Sequence, residues 1–151
     1  MTTSILEDER ITDFGLLIEA TRRLTRTVET SLRNDHGLTV VEFEAMVRLG
    51  RSTDRQMSMT EMANQMVLTS GGVTRLIDRL AGEGFVDRVS CPSDRRVQWA
   101  HLTEDGEKKV AAALVTHLGD LDEHFLAAMS ATERTVMVSV LDRLRTTCGS
   151  E

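Results

Sequence analysis

Thr69-Ser70-Gly71-Gly72-Val73-Thr74-Arg75-Leu76-Ile77-Asp78-Arg79-Leu80, followed by Phe85-Val86-Asp87-Arg88-Val89 and Val97-Gln98-Trp99-Ala100-His101-Leu102, is the stretch whose reading decides the fold. In its first part Val73, Leu76, Ile77 and Leu80 recur at three- and four-residue spacings, which predicts a helix with one apolar face. In the second and third parts the period drops to two, as it does in half-buried strands. The link Ser90-Cys91-Pro92-Ser93-Asp94-Arg95-Arg96 is rich in turn formers and carries two adjacent arginines. Together these predict a β-hairpin with a charged tip directly after a helix.

Working outward, the helix punctuation is legible. Thr39-Val40-Val41-Glu42, Ser58-Met59-Thr60-Glu61 and Ser130-Ala131-Thr132-Glu133 each match the capping box, in which cap and Glu satisfy each other's orphan amides. Thr12, Thr69 and Thr103 are expected to cap three further helices. Gly37, Gly50 and Gly84 stand where helices are expected to end. Six helices result, at roughly 12–35, 40–49, 59–66, 70–83, 104–127 and 131–146. The fold class is therefore mainly α with a small β-hairpin wing.

The outer helices carry broad apolar stripes. Phe14, Leu17, Ile18, Leu24, Val28 and Leu32 form one, and Val110, Leu114, Leu118, Leu121, Val136, Val140, Leu141 and Leu144 belong to another. A central module can bury its own faces, but these long helices need a partner, and a second copy of the chain is the simplest. The expected division is a module over 37–103 and a helical dimerisation region made of 1–36 and 104–151.

With 151 residues, 40% hydrophobic and 28% charged, the chain has the composition of a soluble globular protein. No run of about 18 apolar residues and no basic-then-apolar leader is present, so a cytoplasmic protein without membrane contact is expected. Cys91 and Cys148 lie far apart without zinc spacing and read as reduced thiols. The net charge of −6 argues mildly against a polyanionic partner, yet residues 66–96 carry 5 Lys+Arg against 4 Asp+Glu while both flanks are net negative. Phosphate contacts depend on local cations and not on the sum. No nucleophile–base pair, glycine-rich phosphate loop or carboxylate pair stands at a credible spacing, so neither an enzyme nor a bound cofactor is expected.

Short helices followed by a hairpin outline a winged helix-turn-helix, with 59–66 as positioning helix, Val67-Leu68-Thr69 as turn and 70–83 as recognition helix. Small residues at the recognition-helix start, Gly71 and Gly72, let the backbone approach a major groove, and free N–H groups there suit phosphate. Thr69, Ser70 and Thr74 can hydrogen-bond phosphate or base edges, and Arg75 can reach a guanine or a phosphate. At the wing, Asp94 can cap the turn and clamp Arg96 while Arg95 projects toward DNA. Spacing alone does not decide which arginine enters the minor groove.

Val73-Thr74-Arg75-Leu76-Ile77-Asp78-Arg79-Leu80, Gly84-Phe85-Val86, Pro92-Ser93-Asp94-Arg95-Arg96 and Leu102-Thr103-Glu104-Asp105-Gly106 resemble the successive signatures of the MarR family of bacterial regulators. The resemblance implies a homodimer with intertwined terminal helices whose two winged modules read a near-palindromic duplex. It also implies a repressor that usually loses DNA affinity when a small, often aromatic, acid or an oxidant arrives; the expected mechanism has the effector binding where dimer helices meet winged modules. It assigns Ser70, Thr74 and Arg75 to the major groove and Asp94 with Arg96 to the wing. Cys91 departs from the polar or acidic residue common before the proline.

Other readings compete at several residues. Cys91 beside a basic tip would have a lowered thiol pKa and could switch with redox state, but an incidental thiol is the simpler reading, and the family's peroxide-sensing branch has its cysteine near the N-terminus. His117, Asp120 and His124 share a helix face that reads as solvated surface, with metal binding as the minor alternative. Trp99 shares a strand face with Val97 and His101, opposite Gln98 and Ala100, and reads as core packing. Met46, Met57, Met59, Met62 and Met66 are expected to line the short helices. For the molecule as a whole, a sequence-specific DNA-binding repressor leads, and a winged-helix protein-interaction module without DNA binding is the alternative.

Overall fold

The computed structural model describes residues 5–90 and 97–148. In chain order these hold α1 (Glu9–His36), α2 (Val40–Arg51), β1 (Gln56–Ser58), α3 (Met59–Met66), α4 (Ser70–Gly82), β2 (Val86–Ser90), β3 (Gln98–Leu102), α5 (Glu104–His124) and α6 (Ala131–Cys148), with short 3-10 turns at Ile5–Glu7, Thr53–Arg55 and Leu126–Ala128. Packing divides the chain into two units, Val28–His117 and Met1–Thr27 with Leu118–Glu151.

The unit Val28–His117 closes around an aliphatic core. Leu32, Leu38, Met46, Leu49, Met62, Val73, Ile77, Leu80, Val86 and Leu102 are fully buried. Its sheet is antiparallel in the order β1-β3-β2. Val86 pairs with Leu102, Arg88 with Ala100, and Ala100 with Met57 on the other side. Burying Val86, Ala100, Leu102 and Met57 together fixes this register, because a slip of one residue would turn all four outward. Met46, Met57 and Met62 are buried here, whereas Met59 and Met66 are only half-buried.

Most helix ends fall where capping chemistry places them. Thr39 and Glu42 form a complete box: the Thr39 N–H donates to Glu42 at 2.8 Å and the Glu42 N–H donates to the Thr39 hydroxyl at 3.2 Å. Ser130 and Glu133 do the same at the start of α6. Gly37 and Gly84 take φ of 67° and 77°, the left-handed conformation that favours glycine at a helix exit.

Several boundaries differ from the sequence expectation. Gly50 lies inside α2, which ends instead where the Ser52 N–H and hydroxyl both donate to the Leu49 carbonyl. Thr12 lies inside α1, whose start is set by Asp8 accepting the Arg10 N–H. The Ser58 box closes on one side only, since Glu61 accepts from the Gln65 side chain. α5 stops at His124, short of 127, and β1 is an added strand.

In the unit formed by Met1–Thr27 and Leu118–Glu151, α6 has no buried residue. Phe14, Leu16 and Leu17 of α1, Leu118 of α5, and Val136, Val138, Leu141 and Leu144 of α6 are all exposed. A groove of about 720 Å³ runs along α1, its floor made by Ile11, Phe14, Gly15 and Ile18. Among the described residues no helix is long and apolar enough to cross a membrane.

Candidate nucleic-acid interface

The candidate face is assembled by a turn that reverses the chain between two helices. Val67 ends α3 in the left-handed conformation, φ 53°, with its N–H directed back to the Ala63 and Asn64 carbonyls. Leu68 N–H donates to the Ala63 carbonyl at 2.9 Å. Thr69 then caps α4, its hydroxyl accepting the Gly72 N–H at 3.1 Å. Val73, Ile77 and Leu80 are sealed in the core, and this burial turns Ser70, Gly71, Thr74, Arg75 and Asp78 to solvent. Thr74 donates its hydroxyl to the Ser70 carbonyl at 2.9 Å, leaving lone pairs outward.

Gly71 has no internal cause, whereas Gly72 lies against the Thr69 cap. Neither has a positive φ, and a Cβ on Gly71 would meet nothing within 4 Å. On Gly72 it would press only the Thr69 hydroxyl, at 3.3 Å. A glycine inside a helix costs about 1 kcal/mol relative to alanine, so Gly71 weakens α4 without relieving any contact among the described residues.

The arginines divide by task. Arg79 Nε meets Glu42 Oε1 at 2.6 Å, and Glu42 is buried, so this pair locks the recognition helix to α2. Arg88 on β2 meets Asp78 Oδ1 at 2.6 Å and donates to the Thr74 carbonyl at 3.2 Å. Arg75 is exposed and, among the described residues, makes no ion pair or hydrogen bond. The positive stretch in the sequence is thus only partly available to a ligand, because Arg79 and Arg88 are engaged internally. Nothing in the spacing announced either pair: Glu42 had already been read as a cap, and Asp78 and Arg88 lie on different elements.

At the root of the wing, Thr103 works in three directions. Its hydroxyl donates to the Gly84 carbonyl at 2.8 Å and accepts the Gly106 N–H at 3.0 Å, while its N–H donates to the Phe85 carbonyl at 3.0 Å. A Cβ at Gly106 would collide with the Phe85 carbonyl oxygen. The leucine-threonine-x-x-glycine run is therefore a joint between α5 and the start of the hairpin. Cys91, Asp94, Arg95 and Arg96 lie outside the described residues.

Residues singled out elsewhere have structural surroundings. His117 is half-buried with its ring 4.8 Å from that of Phe43, which corrects the expectation of a solvated face there. His36 Nε2 lies 2.8 Å from the Thr116 hydroxyl. Among the described residues no group of three or more His, Cys, Asp or Glu is arranged to hold a metal ion. Trp99 is half-buried on the face opposite Ala100 and Leu102, so it does not enter the core.

A family model of the MarR family matches residues 38–97, from just after α1 to the residue before β3. Over those residues the chain carries a segment of MarR type. Across nearly its whole length it superposes on AbsC, a MarR family transcriptional regulator from Streptomyces coelicolor, with a TM-score of 0.90 and 26% identity, covering 99% of this chain and 100% of that one. Sco3205, a MarR family transcriptional regulator from the same organism solved in complex with DNA, shares the fold at a TM-score of 0.88 and 24% identity, over 93% and 91% of the two chains. The HTH-type transcriptional repressor YetL of Bacillus subtilis (strain 168) is 26% identical over 131 residues, 87% of this chain and 77% of that protein. The MarR match at residues 38–97, the superposition on AbsC and the likeness to YetL together support a DNA-binding transcriptional regulator with a mainly helical, winged helix-turn-helix fold.

Proposed function

We propose that this MarR protein is a cytoplasmic, homodimeric repressor that reads a near-palindromic duplex and is released from it by a small-molecule effector. Residues 37–103 carry the DNA contacts, and residues 1–36 with 104–151 pair the two copies. The observation that carries the reading is the outward face of α4: Gly71, whose Cβ position is open space, beside Arg75, which makes no ion pair or hydrogen bond among the described residues. In this reading Thr69, Ser70 and Thr74 position the helix on phosphate and base edges. Gly71 and Gly72 let its backbone sink into the major groove, and Arg75 reads a base. Asp94, Arg95 and Arg96 serve the adjacent minor groove.

The exposed apolar residues of α1 and α6, with the groove along α1, support pairing with a second copy. A dimer fits successive major grooves only when its recognition helices are about 34 Å apart. An effector that favours another spacing therefore lowers affinity by shifting population away from the binding state.

Selection of duplexes from a random pool, followed by fluorescence anisotropy at moderate salt, tests the reading. Arg75→Ala is expected to weaken the selected duplex by about 1–3 kcal/mol and to relax preference at one base pair. Absence of any sequence preference in the wild-type protein would sink it. Titration with aromatic carboxylic acids then tests release.

A further inference from the structure

We propose that Arg88 is a positioning residue that holds the wing in register with the recognition helix, so that major-groove and minor-groove reading act as one event. The inference rests on the DNA-binding reading above. Arg88 stands on β2, and its Nη2 reaches both the Asp78 carboxylate at 2.6 Å and the Thr74 backbone carbonyl at 3.2 Å. Thr74 and Asp78 are one helical turn apart on α4, so a single guanidinium grips one full turn of the reading helix. Thr74 belongs to the exposed Ser70–Arg75 face, and β2 leads directly into residues 91–96. Opposite Arg88 in the sheet is Ala100, which is fully buried, so the strand carrying this grip cannot slide.

Stability alone does not account for the arrangement. The Asp78 side chain is 60% exposed, and ion pairs at such exposure add little to folding. A planar guanidinium held between a carboxylate and a carbonyl supplies direction instead. Its product is a fixed offset between α4 and β2, the strand that leads in sequence to residues 91–96.

Asp78→Asn separates this role from simple electrostatics. Removing a negative charge from a DNA-facing surface should tighten binding if only charge matters. A positioning role predicts the reverse sign: affinity for the selected duplex falls roughly fivefold to tenfold, in the range of coupling between residues that share a network. Arg88→Gln should fall equally, and the double variant no further. The melting temperature should stay within about 3 °C of wild type. In both variants, exchanging flanking A·T pairs for G·C should cease to matter, while exchanging the base pair read by Arg75 should cost as much as before. Unchanged or tighter binding by Asp78→Asn, or a parallel loss of both discriminations, would overturn the proposal. Failure of the wild-type protein to bind any duplex would instead overturn the reading on which it rests.

Discussion

Gly71 and Gly106 show how differently two glycines can be required. At Gly106 the neighbouring Phe85 carbonyl leaves no space for a side chain, so the demand comes from inside the fold. At Gly71 there is open space and an ordinary helical backbone, and in the proposed reading the demand comes from the duplex. Gly71→Ala should therefore stabilise the folded protein by about 0.5–1 kcal/mol, since it removes the backbone entropy of a helical glycine. The same change should weaken duplex binding about tenfold or more, because the added methyl holds the helix start off the groove. Thermal melting and anisotropy on one preparation check both signs. A variant that is more stable and binds as tightly as wild type would remove Gly71 from the interface.

Among the elements, helix starts were the most legible part of the sequence. A capping residue acts within three positions of itself, so Thr39, Thr69, Thr103 and Ser130 could be read without knowing the rest of the chain. Helix ends were less legible, and Gly50 shows why. Glycine permits a left-handed exit but does not force one, and at Gly50 the helix continues to Arg51. β1 escaped because three residues carry too little alternation, and its place is set by pairing with β3. Of the candidate interface, the division of α4 into exposed and buried faces was legible from period alone, whereas the Arg79–Glu42 and Arg88–Asp78 pairs join elements that only folding brings together. The cap of α6 also carries a pH dependence. Glu133 accepts the Ser130 N–H and hydroxyl at 2.7 Å each, and these bonds hold its carboxyl below the usual value of 4.5. A depressed acid contributes above its ordinary pKa and loses that contribution as the pH falls through the depressed one. The first turn of α6 should thus loosen only in acid below 4.5, with Ser130 amide exchange rising there and Glu133→Gln abolishing the transition. A Ser130 amide indifferent to acid would contradict this.

For the molecule as a whole, an acidic protein must approach a polyanion. The net charge of −6 opposes long-range attraction, and two of the arginines near the reading face are tied to carboxylates. In the proposed dimer, affinity draws on pairing two modules across one duplex, since a second contact made within a complex benefits from high effective concentration. Phe14→Glu combined with Leu144→Glu places charge on two exposed apolar positions of the proposed pairing surface. The expected result is a monomer by sedimentation, with helicity retained, and affinity for the palindrome reduced about 100-fold or more. A variant that still sediments as a dimer would point to a different pairing surface. The joint at Thr103 and Gly106 bears on how such regulators can be re-engineered. Because that backbone crossing tolerates hydrogen alone, the hairpin is mounted on a fixed hinge pin while its loop is replaceable. Grafting a loop from a relative between β2 and β3, with Gly84–Phe85 and Leu102–Gly106 left untouched, offers a route to new operator preferences without rebuilding the domain.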